Sequence, residues 1–190
     1  MDIRAFVAIV LADEIRARLA VEVDRLRAVA PEVAWVARDN LHITLKFLGG
    51  VDSARLGDVT AALVTAAAGM SPFDVGLRGL GGFPSPTRPR VLWAGLDEGA
   101  VRTAALAGRV DGALASLGFP PETRVFSAHV TLGRVRAPRA NPRLAEALAS
   151  GGVFGRQRVD RLVLMRSDLS PRGARYTELH GAPLGSGGPG

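Results

Sequence analysis

The chain has 190 residues, with 24 Lys and Arg against 18 Asp and Glu, a net charge of +6 and a pI near 11.2. That length suits one domain, or two small lobes sharing a core, and buries roughly two thirds of the unfolded surface without help from a metal or a disulfide. Cysteine is absent, which removes disulfide frameworks and thiolate sites. The basic balance favours anionic partners such as phosphates or nucleic acid, although with Lys46 the single lysine and Ala and Gly plentiful, a genomic bias toward arginine accounts for it equally well.

The first apolar run, Ala5 to Ala12, is short and flanked by acids, so it reads as a buried strand over 4–11 and not as a signal peptide. No stretch approaches the roughly 20 apolar residues of a membrane span, and a cytoplasmic protein is expected. Asp13 is placed to cap a helix over 14–30, which Pro31 ends. An extended segment from Val33 to Leu48 follows and is closed by Gly49-Gly50; Ser53 then caps a second helix reaching Gly69. Strands are expected at Phe73–Leu80 and Val91–Leu96, with Gly79 to Pro89 as the Gly/Pro-rich loop of a hairpin. A third helix spans Gly99 to Leu117, a strand Arg124 to Val135, and a short helix Pro142 to Ser150. Strands at Val159–Met165 and Tyr176–His180 precede a disordered tail at 185–190. This order predicts an α/β fold of the α+β type: two pseudo-symmetric lobes, each a mixed, largely antiparallel sheet with outer helices, around a central cleft.

Within this pattern His42-Ile43-Thr44-Leu45 recurs 87 residues later as His129-Val130-Thr131-Leu132. Alternation along a strand puts each His and its Thr on one face. In the first copy Leu41, Ile43, Leu45 and Phe47 take the apolar face, leaving Asn40, His42, Thr44 and Lys46 opposite. In the second copy Phe126, Ala128, Val130 and Leu132 are apolar, with Ser127, His129 and Thr131 opposite. Two facing imidazoles can divide proton transfer, one deprotonating a nucleophile and the other protonating the leaving oxygen, which suits in-line displacement at phosphorus. The threonine hydroxyls can donate to non-bridging phosphate oxygens. A zinc site is the other chemistry open to two histidines, but it needs three or four protein ligands, and there is no cysteine and few nearby acids to supply them. His180 has no Thr partner and reads as structural or exposed.

The segments HITLKFLG and HVTLGRV, with RAFVAIVL, GGFPSPTRPRVLWAG and LVLMRSDLSPRGARYTEL, resemble the two-histidine phosphoesterases, and among them the RNA 2′,3′-cyclic phosphodiesterase family, also called the 2′-5′ RNA ligase family. The resemblance runs from about Ile3 to Leu184, so a single two-lobed domain over 1–184 is expected. It implies metal-independent, cofactor-free opening of a terminal 2′,3′-cyclic phosphate to a 2′-phosphate, with His42 as proton donor and His129 as acceptor. It further implies Thr44, Thr131 and Arg134 as phosphate ligands. The implied partners are RNA ends bearing the cyclic phosphate, tRNA fragments among them, or small cyclic nucleotides, and the chain is taken as a monomer. Reversible 2′-5′ joining, a cyclic-nucleotide phosphodiesterase and a non-catalytic RNA-end binder are the alternatives. On a regular strand Arg134 would point away from His129, so its role requires a bulge or sharp twist near Gly133. Phe83, Arg88 and Arg90 are candidate RNA contacts through stacking and phosphate pairing; Phe47 reads as core. Arg166 and Tyr176 lie in family-like segments without a derivable role.

Overall fold

The computed structural model describes residues 1–185. Strand β1 (Asp2–Val10) leads into helix α1 (Asp13–Arg27), then β2 (Ala34–Trp35), β3 (His42–Asp52) and α2 (Leu56–Ala68). The hairpin β4 (Phe73–Phe83) and β5 (Val91–Glu98) is followed by α3 (Ala100–Ala115), β6 (His129–Arg134), α4 (Pro142–Ala149), β7 (Val153–Val159), β8 (Arg161–Ser170) and β9 (Gly173–Pro183). The strands form one sheet in the order β7-β4-β5-β6-β3-β1-β8-β9, with β2 added beside β6. Each ladder among the described residues is antiparallel.

The order reads as two four-strand halves related by a pseudo-twofold, β6 matching β3 and β5 matching β1. They meet at a seam of one residue pair, Ile43 with Val130. In both halves the His-bearing strand follows a strand and a helix, β1-α1 before β3 and β5-α3 before β6, and pairs with the strand that precedes that helix. The helices bury their apolar stripes in one large core, where Leu19, Leu63, Leu106 and Leu144 join Val7, Ile43, Leu92, Val130 and Leu164 of the sheet. Among the described residues the other sheet face carries a small cluster around Phe6, Ala8 and Val163. That uncovered face holds both His-Thr pairs.

Several boundaries differ from the sequence expectation, each for a local reason. Ala12, not Asp13, occupies the cap position of α1, and Asp13 and Glu14 sit in the first turn, where carboxylates complement the helix dipole. The helix ends at Arg27 instead of continuing to residue 30. Gly49-Gly50 do not close β3, because Ala5 and Arg4 of β1 pair with them and carry the strand to Asp52. Asp52, and not Ser53, caps the 3-10 turn Ser53–Arg55 that leads into α2, its carboxylate accepting from the Ala54 N–H at 3.1 Å, and Arg55 stands at the cap position of α2 itself. Gly79 to Phe83 belong to β4, so the hairpin loop shrinks to residues 84–90. Gly81 faces Trp93 across the ladder, and a Cβ there would lie 2.2 Å from the indole, so the glycine that looked like loop is strand making room for a ring. The strand expected from Arg124 is shorter, beginning at His129. β7 is absent from the expected order: its outward residues are Arg156 and Arg158, paired across the edge to Glu98 and Asp74, which masks the buried Phe154 and Val159. β8 and β9 form a longer hairpin than expected, running to Ser170 and from Gly173. Beyond Gly185 the expected tail lies outside the described residues.

Candidate active site

Both imidazoles are held the same way. His42 Nδ1 lies 2.7 Å from the carbonyl of Asn40, and His129 Nδ1 lies 2.7 Å from that of Ser127. A carbonyl can only accept, so each Nδ1 carries the hydrogen, and in the neutral ring each Nε2 is left as a base. The Thr44 hydroxyl reaches His42 Nε2 at 2.8 Å. Asn40 is itself fixed, its amide donating to the Ala174 carbonyl of β9 at 2.7 Å. At the seam His42 and Thr44 flank Ile43 as His129 and Thr131 flank Val130. Because β3 and β6 run antiparallel, His42 lies on the Thr131 side and Thr44 on the His129 side.

The two strands also break parity at the same place. Opposite β1 the register skips Leu45, and opposite β5 it skips Leu132, so each His-Thr pair is followed by a β-bulge. The burial pattern from each histidine is identical: half-buried, buried, half-buried, buried, buried, exposed. The fourth residue after each histidine turns toward the core and the fifth returns to the histidine face. In β6 these are Gly133, whose missing side chain leaves room for Trp35 and Val33, and Arg134. In β3 they are Lys46 and Phe47. Lys46 is therefore only 4 % exposed and Phe47 is 60 % exposed, the reverse of what simple alternation gives, which corrects the assignment of Phe47 to the core.

Aromatic rings line both histidines. His42 sits 4.9 Å from Phe6 and 5.4 Å, edge-on, from Tyr176, and Phe47 packs 6.1 Å from Phe6. His129 meets Phe83 edge-on at 5.3 Å, and Phe83 contacts Trp93. Burial pushes both imidazoles below their ordinary pKa, opposed in each case by the carbonyl on Nδ1. A smaller lowering of His42 comes from the charge of His129, and of His129 from that of Arg134, so the three cationic groups share one space. Burial raises the Tyr176 phenol, while Arg134 and Arg4 pull it back, which adds Arg4 to the positive rim. The sheet face thus carries two groups able to exchange protons and two hydroxyls, with Arg134 close enough to act on His129 and Tyr176 and Arg4 close enough to act on Tyr176. Among the described residues no group of three or more His, Cys, Asp or Glu side chains is placed to hold a metal ion. A depression of about 220 Å³ between the end of β1 and the β7–β8 turn contains none of these groups.

The LigT-like phosphoesterase family model matches residues 9–93 and 96–176, one His-Thr pair falling in each block. The chain belongs to this family. This LigT-like phosphoesterase is 35 % identical over 181 residues to a Methanothermobacter thermautotrophicus protein named RNA 2′,3′-cyclic phosphodiesterase, spanning 94 % of this chain and 97 % of that protein. Among solved structures it is similar to a Thermus thermophilus protein, with a TM-score of 0.80 at 31 % identity over 96 % and 98 % of the two chains. It is also similar to Escherichia coli LigT complexed with 3′-AMP, with a TM-score of 0.73 at 29 % identity over 97 % and 99 %.

Of the residues singled out in the sequence, the phosphoesterase fold brings His42, Thr44, His129, Thr131, Arg134 and Phe83 to one face. Arg88 and Arg90 are exposed in the 84–90 turn, whose backbone is stitched to the end of β6 by the Val135 N–H donating to the Arg90 carbonyl at 2.8 Å. His180 is half-buried on β9 opposite Leu164, and Arg166 pairs with Asp168. Sequence reasoning missed Phe6, Arg4, Phe47 and Tyr176. Phe47 could have been found, since it stands at the same five-residue offset from its histidine as Arg134. Tyr176 reaches the site only through the pairing of β9 with β8 and β8 with β1.

Proposed function

We propose that the protein hydrolyses the terminal 2′,3′-cyclic phosphate of RNA to a 2′-phosphate. The observation that carries this reading is the matched anchoring of two imidazoles from separate halves, each with Nδ1 tied to the carbonyl two residues before it. The relatives named for this activity support it. His129, unprotonated, takes the proton of a water attacking phosphorus; His42, protonated, delivers one to the departing 3′ oxygen. Thr44, Thr131 and Arg134 hold the non-bridging oxygens, the Thr44 hydroxyl turning from His42 Nε2 to the phosphate as the ring takes up its proton. The anionic phosphate between the rings offsets the burial that depresses both pKa values. Phe47, exposed on the His42 side, gives the base of the cyclic nucleotide a stacking surface, with Tyr176 beside it. Phe83, Arg88 and Arg90 extend the contacts to RNA on the His129 side. Terminal nucleotides of tRNA fragments and free cyclic mononucleotides are both substrates on this reading.

The test is incubation with an oligonucleotide ending in a 2′,3′-cyclic phosphate in excess chelator. A 2′-phosphate end is expected, with His42→Ala and His129→Ala each slowing turnover by about 10²–10⁴-fold. Tight, salt-dependent binding by folded protein that leaves the cyclic phosphate intact would instead mark an RNA-end binding module.

A further inference from the structure

Asn40 ends the 3-10 turn Arg38–Asn40 just before β3, and its two polar ends serve different partners. Its carbonyl accepts from His42 Nδ1 at 2.7 Å, while its half-buried side-chain amide donates to the Ala174 carbonyl at 2.7 Å. The ladder does not supply that second contact. β9 is the last strand of the sheet, with β1 and β8 between it and the His42 strand, so the sheet must curl for Ala174 to reach Asn40. The same stretch of β9 also touches the ring itself, through Tyr176 two residues on. The pseudo-twofold calls for a counterpart beside His129. Ser127 holds the matching position and its carbonyl receives the other Nδ1. Yet its side chain is exposed, in a stretch outside any helix or strand, and among the described residues its hydroxyl is tied to no other element. The duplicated frame therefore explains the two carbonyls but not the brace behind one of them.

We infer that Asn40 is a positioning residue: its amide, tied to Ala174, holds its own carbonyl where it fixes the tautomer and the rotation of the His42 ring. The inference rests on the proposed hydrolysis and deepens it, since His42 must there aim its Nε2 proton at the departing 3′ oxygen. Two protein hydrogen bonds orient the ring, from Nδ1 to the Asn40 carbonyl and from the Thr44 hydroxyl to Nε2. On the proposed mechanism the Thr44 hydroxyl turns to the phosphate, and the Nδ1 contact is then the one that remains. What secures that carbonyl thus secures the acid. The hydrogen on Nδ1 sets which nitrogen faces the ligand, and the partner of that hydrogen sets the plane of the ring. A misplacement of about 1 Å at the reacting atoms is enough to cost about 10²-fold in rate.

The experiment uses Asn40→Ala and Asn40→Leu, the second keeping the size of the side chain without its donor should the first fail to fold. Nitrogen-15 NMR of the full chain without ligand, at about pH 8 where the rings are neutral, reads the tautomer, the His42 signals being assigned by their loss in His42→Ala. The parent should show His42 with its hydrogen on Nδ1, and that form should lose its dominance in both variants. With a 2′,3′-cyclic mononucleotide as substrate, kcat should fall by about 10–10²-fold and KM stay within about twofold of the parent. Asn141→Ala is the comparison, because Asn141 also ties its amide to a distant carbonyl, that of Val29 at 3.0 Å, while capping α4. It should lower Tm and leave both kcat and the His42 tautomer unchanged. A folded Asn40 variant with the parent's tautomer and kcat overturns the inference. So does a fall in kcat that Asn141→Ala reproduces, or a rise in KM at constant kcat, which would make Asn40 a substrate contact. Folded parent protein that leaves the cyclic phosphate intact refutes the hydrolysis itself, and the tautomer measurement alone then decides whether Asn40 holds the ring.

Discussion

Replacing Lys46 by Met should cost the fold about 3 kcal/mol, because of where the β3 bulge places that side chain. The ammonium has only 2 % of its side-chain surface exposed. It donates to Asp111 Oδ1 of α3 at 2.6 Å and to the Pro120 carbonyl at 2.9 Å, with Glu122 at 3.5 Å. Asp111 in turn accepts from the Glu122 N–H at 3.2 Å, so one lysine of the His42 strand pins the segment that leads into His129. Methionine fills a similar volume but leaves the Asp111 carboxylate without its cation. Breaking a buried pair in this way costs about 3–5 kcal/mol, and the lower figure applies because Asp111 is 22 % exposed and keeps some water. For a chain of this size that is a fall of about 6–12 °C in Tm. The hydrogen bond from Lys46 holds the Asp111 carboxyl below its ordinary pKa. A lowered carboxyl stabilises the fold above the unfolded-chain value of about 3.9 and loses that contribution as pH falls through the folded value, so the gap between parent and variant should close below about pH 4. Thermal and urea unfolding at pH 7, on the single variant and on Lys46→Met combined with Asp111→Leu, is the assay; the double variant should recover most of the loss. A single variant within about 1 kcal/mol of the parent, or a double variant no more stable than the single, would refute the reasoning.

Because burial lowers both histidines, the kcat/KM profile for cyclic phosphate hydrolysis should be a bell whose optimum falls below about pH 6.5, and a plateau reaching past pH 8 would contradict it. The same lowering means that the unfolded chain takes up protons first, so stability should decline as pH drops below about 6.5, and less so in His42→Ala. Phe47→Ala should reduce kcat/KM by an amount matching about 1–3 kcal/mol of lost stacking, with little change in Tm because the ring is already 60 % exposed; unaltered kinetics would remove Phe47 from the site. Gly81→Ala pushes a methyl into the Trp93 ring and should destabilise by about 1–3 kcal/mol on denaturant titration, while a neutral outcome would mean that the β4–β5 packing yields freely.

The paired histidines were legible because strand alternation is a local rule, and over His42 to Leu45 and His129 to Leu132 it holds. It fails one residue later, at the bulges, and that is why Lys46 and Phe47 were assigned to each other's faces. The odd offset of Arg134 demanded a bulge in the second copy, and the same demand in the first went unread because a phenylalanine looks satisfied in a core. The four-helix, antiparallel character of the fold followed from the order of periodic segments. β7 did not, since its exposed arginines hide a strand whose stability comes from pairing with β4. Tyr176, Phe6 and Arg4 come from other strands entirely, and their arrival around His42 is a property of the assembled sheet that no local pattern carries.

The matched bulges have one more consequence. A scaffold with interchangeable walls would accept its ligand either way round, and half of all encounters would be unproductive. By setting a flat hydrocarbon ring at one turned-out position and a fixed cation at its mirror image, the chain gives a duplicated frame a front and a back. On the proposed mechanism the direction of the chemistry is written in these two side chains, with the backbone beneath them left nearly the same.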